Sequence, residues 1–115
     1  MDEAVRENLE EILLHARRAV GLRGQRDAAL SADDWESLYL CNYLIQIIGE
    51  RAMRLRKAAP EVLEAIDQPW FKIIAVRHII AHNYEGVDAS RIDTIITDEL
   101  PGLIEAVGTY LETQS

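Results

Sequence analysis

Apolar residues recur at helical spacing along almost the whole chain. The first set, spaced by three or four positions, is Val5, Leu9, Ile12, Leu13, Ala16 and Val20. Charged residues fill most of the positions between them, and Gly21 and Gly24 follow. This pattern predicts an amphipathic helix over residues 2–20 that the two glycines end.

A long second helix is predicted over residues 32–58. Ser31 and the aspartates Asp33 and Asp34 suit a capped, acidic helix start, and Ala59-Pro60 ends the pattern. Its apolar positions are Trp35, Leu38, Tyr39, Leu44, Ile45, Ile48, Ala52 and Leu55. Residues 38–48 are apolar on more than one face, which exceeds what a monomer of this size needs and indicates a second partner surface.

A short helix over residues 61–66 precedes the most unusual segment, residues 69–86. Pro69 suits a first helical turn, and neither Gly nor Pro interrupts the sequence before Gly86. Apolar residues cover two faces of this helix, yet its last two turns carry polar side chains at Arg77, His78, His82 and Tyr84. Helical spacing puts these four within a little less than half of the circumference, so one crevice or subunit contact can gather them.

The last helix begins after Asp88, which can cap it. It carries an apolar stripe, and we expect a kink at Pro101. No strand pattern, repeat or low-complexity segment is present. The expected fold is an all-α bundle with four main helices and one short helix, formed by a single domain over residues 1–115.

Composition fits this fold and indicates the cellular compartment of the protein. The chain has 115 residues, of which 49% are hydrophobic, enough for a small core. No apolar run is long enough to span a membrane, and the N-terminus Met1-Asp2-Glu3 is acidic, so we expect a cytoplasmic protein without a signal peptide. The single cysteine, Cys41, is expected to be a packed helical residue, and His15 a helix-surface residue without a chemical role.

Net charge is −8, which by itself disfavours binding to nucleic acid. The charge is unevenly distributed, however. From Glu85 onward there are seven acidic residues and one base, Arg91, so this stretch carries −6 of the −8. The first 84 residues are nearly balanced and contain a basic cluster at Arg51, Arg54, Arg56 and Lys57. That cluster fits an RNA contact and a solvated helix end equally well.

The spacing of Arg77, His82 and Tyr84 matches the R-x4-H-x-Y pattern of HEPN-domain proteins, and the chain resembles the HepT toxin family within that superfamily. Ile47-Ile48-Gly49-Glu50, Pro69-Trp70 and Leu100-Pro101-Gly102-Leu103 stand in the order of that family. The resemblance covers residues 5 to 112. One departure is His78, where many HEPN nucleases have Asn directly after the Arg.

The resemblance implies a HEPN-type helical bundle that forms a symmetric homodimer, with the active site assembled where two motif helices meet. It also implies the toxin of a type VII-like toxin–antitoxin pair, whose antitoxin is a minimal nucleotidyltransferase. That partner adds AMP to the motif tyrosine, here Tyr84, and so blocks the site.

Acid–base chemistry on RNA fits these residues. RNA carries its own nucleophile, the 2′-hydroxyl, so a metal-free nuclease needs a group that moves protons and a cation that stabilises the phosphorane. His82 and Arg77 are the catalytic candidates for these tasks. We assign supporting roles to His78, Glu50 and Asn83, with the Glu50 carboxylate orienting Arg77 or a histidine. We expect no cofactor and no metal. His78 and His82 can chelate one ion from a helix and Glu50 can add a carboxylate, but a catalytic zinc site needs three ligands in a defined geometry, and the H-E-x-x-H pattern is not present.

Other interpretations of these residues remain open. Glu50 can instead form a surface pair with Arg54, one helical turn away. Tyr84 can pack at the edge of the core. The same fold can be a non-catalytic module that holds a nucleotide or a partner protein, or a purely structural bundle in which Arg77 pairs with Glu50.

Overall fold

The chain forms a bundle of α-helices. A computed structural model describes residues 1–82 and 88–114, with the backbone alone for residues 78–82. The helices are α1 (Glu3–Gly24), α2 (Trp35–Ala58), α3 (Pro60–Ala65), α4 (Trp70–His82), α5 (Ala89–Thr94) and α6 (Leu100–Gln114). A π-helical turn, Ile95–Glu99, joins α5 to α6, so residues 89–114 form one continuous C-terminal helix. The predicted all-α fold with four main helices and one short helix, α3, is confirmed.

Helix α1 is longer than predicted at its C-terminal end. The carboxylate of Asp2 caps its start by accepting hydrogen bonds from the N–H groups of Ala4 and Val5, at 2.7 and 3.3 Å. Gly21 does not end the helix, which continues to Gly24, because an exposed glycine costs a helix only about 1 kcal/mol relative to alanine.

Helix α2 begins three residues later than predicted, at Trp35. Asp34 occupies the N-cap position but makes no capping hydrogen bond, because its carboxylate pairs with Arg26 in the preceding loop. That loop is also tied to the C-terminal helix. Asp93 accepts hydrogen bonds from the Arg23 Nε at 2.5 Å and from the Leu30 N–H at 3.0 Å. The polar residues of this segment therefore join helices rather than cap one.

The core lies where α2 packs between α1 and α4, with the C-terminal helix closing against α1. Leu9, Ile12, Ile48, Leu55 and Leu103 are among its fully buried side chains. Helix α4 runs antiparallel to α2, since Trp70 at its start lines the same depression as Arg56 near the end of α2. None of the helices in the described ranges is long and apolar enough to cross a membrane.

The irregularity expected at Pro101 lies one turn earlier. Leu100 donates its N–H to the carbonyl of Ile95, five residues before it, as in a π-helix. Proline at position 101 has no N–H, and its ring crowds the carbonyl four residues before it, so the regular α-helical pairing is disturbed there. The helix accommodates the proline with a wider turn and then continues to Gln114.

Candidate active site

The structure positions Arg77 through a close contact between α2 and α4 at Gly49. A Cβ built on Gly49 would lie well inside contact distance of the Arg77 Cβ, and 3.1 Å from both the Arg77 Cγ and the carbonyl oxygen of Ile73. Real Cβ atoms do not approach other atoms this closely, so only glycine fits while the two helices keep their present separation. The base of the Arg77 side chain therefore rests directly on the backbone of α2.

Arg77 forms no ion pair with any other described residue. It is half-buried, and its Nε is buried without a hydrogen-bond partner in that part of the chain. A buried guanidinium nitrogen without a partner is costly, and such groups are common where a ligand or substrate supplies the partner.

Glu50 follows Gly49 on α2 but does not contact Arg77 through its carboxylate. Its Oε1 accepts a hydrogen bond from Arg54 at 3.2 Å, the surface pairing of two residues one turn apart. Both side chains are at least one-third exposed, and pairs of this kind contribute little to stability. The purely structural Arg77–Glu50 pair is therefore not formed here.

The histidines and the tyrosine of the motif are described only in part. The backbone of His78 and His82 belongs to α4, whereas their side chains are outside the description, and Asn83 and Tyr84 lie outside the described residues. Helical register places positions 78 and 82 on the same face as Phe71 and Ala75, both of which are exposed. That face differs from the one at which Arg77 meets α2.

Two features of α2 were not assigned from the sequence. Gly49 belongs to the Ile47–Glu50 pattern, and a glycine inside an apolar helical pattern can indicate close helix packing. Asn42, two turns before Gly49, is buried, and its Oδ1 has no hydrogen-bond partner among the described residues. Both positions lie on the side of α2 that faces α4.

The aromatic residues of α2 lie on the surface. Trp35 and Tyr39, which were expected to belong to the apolar stripe of α2, are 58% and 64% exposed, and their rings form an edge-to-face pair with centroids 5.8 Å apart. Leu40 and Tyr43 continue the exposed apolar surface. The surplus apolar surface predicted for α2 is thus present, and Trp35, Tyr39, Leu40 and Tyr43 are called the α2 aromatic surface below.

The basic cluster at the end of α2 divides into structural and solvated residues. Arg51 donates to the Asn8 side chain on α1 at 3.2 Å, and Arg54 pairs with Glu50. Arg56 and Lys57 are exposed in the last turn, where cations interact favourably with the helix dipole.

His15 and Cys41 have structural surroundings. His15 is only 8% exposed, so the predicted surface position is wrong; its Nδ1 lies 2.7 Å from the carbonyl oxygen of Glu11, one turn earlier. Cys41 is buried, as predicted, and burial raises the pKa of its thiol even though the charge of Arg26 acts in the opposite direction. The thiol therefore stays protonated at neutral pH, which does not suit a nucleophile.

Within the described residues, no group of three or more His, Cys, Asp or Glu side chains is arranged to hold a metal ion. The pair considered for metal binding from the sequence, His78 and His82, lies outside that search.

Comparison with protein families gives one match. A family model described as "Ribonuclease HepT-like" matches residues 5–109, which is nearly the whole chain. No curated protein and no solved structure matches it.

Proposed function

Because this chain belongs to the HepT-like ribonuclease family of the HEPN superfamily, we propose that it is a metal-independent endoribonuclease whose catalytic residues are Arg77 and His82. The observation that carries this proposal is the state of Arg77. The base of its side chain packs against Gly49, its Nε is buried without a partner, and it forms no ion pair with a carboxylate within the described residues. A pre-positioned cation without a partner suits a substrate phosphate.

The proposed reaction uses the nucleophile of RNA itself. The 2′-oxygen attacks the adjacent phosphorus while its proton passes to a base, and the bond to the 5′-oxygen breaks as that oxygen gains a proton. The products are a 2′,3′-cyclic phosphate and a free 5′-hydroxyl. His82 carries out one of the two proton transfers, because an imidazole changes charge near neutral pH. Arg77 stabilises the charge on the phosphorane as a permanently charged, planar donor.

One histidine does not easily serve both proton transfers at once, which supports a homodimer with shared sites. The α2 aromatic surface is the exposed apolar region that a second copy can cover. His78 can supply the second transfer within one chain. Asn83 is assigned a supporting role, and Glu50 can orient Arg77 after a change of rotamer, since its pair with Arg54 is exposed.

We further propose that a nucleotidyltransferase antitoxin neutralises the chain by adenylylating Tyr84, as in a type VII-like toxin–antitoxin pair. The phenol oxygen attacks the α-phosphorus of ATP, pyrophosphate leaves, and the phenol proton is released. Tyr84 follows Arg77 by seven residues in the sequence. The added phosphodiester brings bulk and negative charge near Arg77, where it competes with the phosphate of RNA.

The test is cleavage of single-stranded RNA by the purified chain in the presence of EDTA, with the new ends analysed for 2′,3′-cyclic phosphate. We expect cleavage by the unaltered chain and a loss of about 100-fold or more in Arg77→Ala and His82→Ala. Lys72→Ala is the matched control, because Lys72 is an exposed cation on the same helix. Circular dichroism confirms that each variant is folded.

The second candidate is a non-catalytic module that uses the same crevice to hold a nucleotide or a partner protein. Two observations favour it: the −6 charge of the C-terminal stretch, and His78 at the position where many HEPN nucleases have Asn. Folded Arg77→Ala and His82→Ala variants that cleave as well as the unaltered chain would remove the nuclease assignment. Loss of cleavage with EDTA would instead remove the metal-free mechanism.

A further inference from the structure

A cavity with an apolar floor lies between α4 and the C-terminal helix. Helix α4 packs on α2 and makes little contact with α6, and the space left between them holds a cavity of about 280 Å³. Its apolar walls include Ile45, Ile48, Ile73, Val76, Ile95 and Leu103. Its polar lining residues, Gln68, Asp98 and Glu99, are exposed or half-buried, which puts them at its edge.

This cavity continues into a more open depression along α6. The depression, about 560 Å³, shares Gln68 and Gly102 with the cavity and is also lined by Asp67, Glu105 and Tyr110. The two together form one channel, called the α6 groove below. Its lining extends over about three turns of α6, from Gly102 to Thr113, a length that accommodates a short segment of another chain.

The edge of the α6 groove is acidic. Its carboxylates are Asp67, Asp98, Glu99 and Glu105. Within residues 1–82 and 88–114, none of the four forms an ion pair with a basic side chain. Their charges repel phosphate, so this surface does not suit RNA. It accounts for three of the seven acidic residues that follow Tyr84 in the sequence.

The π-helical turn shapes this groove. Ile95–Glu99 supplies one wall residue, Ile95, and both Asp98 and Glu99 at the edge. A π turn is wider than an α turn, and such turns are frequent at functional sites. The fold therefore places its one irregular helical turn in the described ranges where the groove opens.

We propose that the α6 groove binds a basic, amphipathic segment of a partner protein. The apolar side chains of that segment enter the cavity, and its Lys or Arg side chains pair with the four carboxylates. An apolar floor together with an acidic edge favours a segment that is both amphipathic and basic. An acidic amphipathic segment gains only from the floor, and a purely polar basic segment gains only from the edge. Arg77 is not among the residues that line the groove, and the proposal does not depend on the proposed cleavage reaction.

Gly102 provides a way to block the groove without disturbing the fold. It lines both halves of the groove, and a Cβ added there meets no atom within 4 Å. The change Gly102→Phe therefore puts a ring into the channel. Gly108→Phe is the matched control, because Gly108 lies in the same helix, also has open space at its Cβ, and does not line the groove.

The probe is a synthetic amphipathic helical peptide of Leu and Lys, titrated into the isotopically labelled full chain at physiological salt and followed by NMR. We expect shifts centred on Gln68, Gly102 and Tyr110. We expect binding to weaken about tenfold or more in Gly102→Phe and to be unchanged in Gly108→Phe. Asp98→Asn with Glu99→Gln should weaken binding about fivefold, whereas Glu3→Gln with Glu7→Gln on α1 should not.

The proposal is overturned if the shifts spread over α1, or if binding persists in Gly102→Phe. It is also overturned if single-stranded RNA shifts the same signals, or if they move with protein concentration alone, which would identify a second copy as the occupant. Neither the catalytic variants nor the cleavage assay enters this test, so its failure leaves the proposed ribonuclease reaction unaffected.

Discussion

Asp93 and Arg77 illustrate two uses of a charged residue in this chain. Asp93 lies in the C-terminal helix and accepts hydrogen bonds from Arg23 and Leu30, so it fastens α1 and the following loop to that helix. The base of the Arg77 side chain packs against the backbone at Gly49, but its Nε has no partner among the described residues. A satisfied charge supports the fold, and an unsatisfied one is available to a ligand.

The role of Asp93 predicts the response of the fold to acid. Burial alone raises the pKa of this carboxyl, but the hydrogen bonds from Leu30 and Arg23 and the charges of Arg23 and Arg26 outweigh it, so its pKa lies below the ordinary 3.8. A lowered carboxyl pKa stabilises the fold above 3.8, and this contribution is lost as pH falls from there through the lower folded value.

Asp93→Asn is therefore expected to lower the free energy of unfolding by about 1–3 kcal/mol at pH 7, and by less at pH 3. Urea unfolding at both pH values measures the difference. Asp67→Asn is the control, since the Asp67 side chain is exposed and has no ion pair in the described ranges. An equal loss at both pH values would mean that Asp93 acts through packing rather than charge.

Helices were predictable from the sequence to the extent that apolar spacing determines them. The four main helices and the short α3 follow from that spacing together with proline and glycine positions. The start of α2 could not be predicted in this way, because Asp34 pairs with Arg26 instead of capping the helix. The π turn before Pro101 could not be predicted either, because a proline signals a disturbance but not how the helix accommodates it. Burial of His15 depends on how α1 packs, which spacing alone does not show.

The candidate site was predictable as a set of residues but not as an arrangement. The motif identified Arg77, yet its support by Gly49 depends on the separation of two helices. The Glu50 expectation illustrates the same limit. Sequence spacing allowed a contact with Arg77 or with Arg54, and the structure has the local pair. A pair between residues one turn apart on a helix forms without any packing between helices. The sequence pattern alone does not show whether such a pair or a contact with another helix forms.

The contact between α2 and α4 predicts an unusual response to alanine. Alanine in a helix interior is normally about 1 kcal/mol more favourable than glycine. At Gly49 the added Cβ meets Arg77 and the carbonyl of Ile73, so α4 must move away. Gly49→Ala is expected to lower the free energy of unfolding by about 1–3 kcal/mol, whereas Gly108→Ala, with open space, should raise it by up to about 1 kcal/mol.

The same change tests whether Gly49 acts through Arg77. If it does, Gly49→Ala lowers the rate of RNA cleavage in the unaltered chain but has no further effect in the Arg77→Ala background. Independent losses in the double variant would show that the glycine serves the fold alone. Stability is measured by urea unfolding and cleavage by initial rates on the same preparations.

At the scale of the whole molecule, α2 serves three surfaces at once. The side that faces α4 supports Arg77 at Gly49 and also contributes Ile45 and Ile48 to the α6 groove, and another side exposes the α2 aromatic surface. A helix with apolar residues on several faces is therefore used on all of them. Negative charge is concentrated elsewhere, in the C-terminal helix along the groove, so the acidic net charge is not spread over the motif helix.

The α2 aromatic surface predicts where two copies meet. An aromatic side chain buries about 150–250 Å², so Trp35 and Tyr39 from two protomers supply a large part of a standard interface. Trp35→Ser with Tyr39→Ser is expected to weaken the dimer about 100-fold without loss of helix content, because both rings are exposed within one chain. Sedimentation velocity over the micromolar range measures the change, and cleavage should fall with it if two protomers share a site.

Phe71→Ser is the matched control for this interface. Phe71 is 74% exposed, more than either ring on α2, but it lies on α4 at the face shared with positions 78 and 82. If Phe71→Ser separates the protomers and the α2 double variant does not, the interface lies on α4 and α2 is left free. If the unaltered chain is already a monomer at tens of micromolar, the shared site is wrong, and both proton transfers must be found within one chain, with His78 the first residue to test.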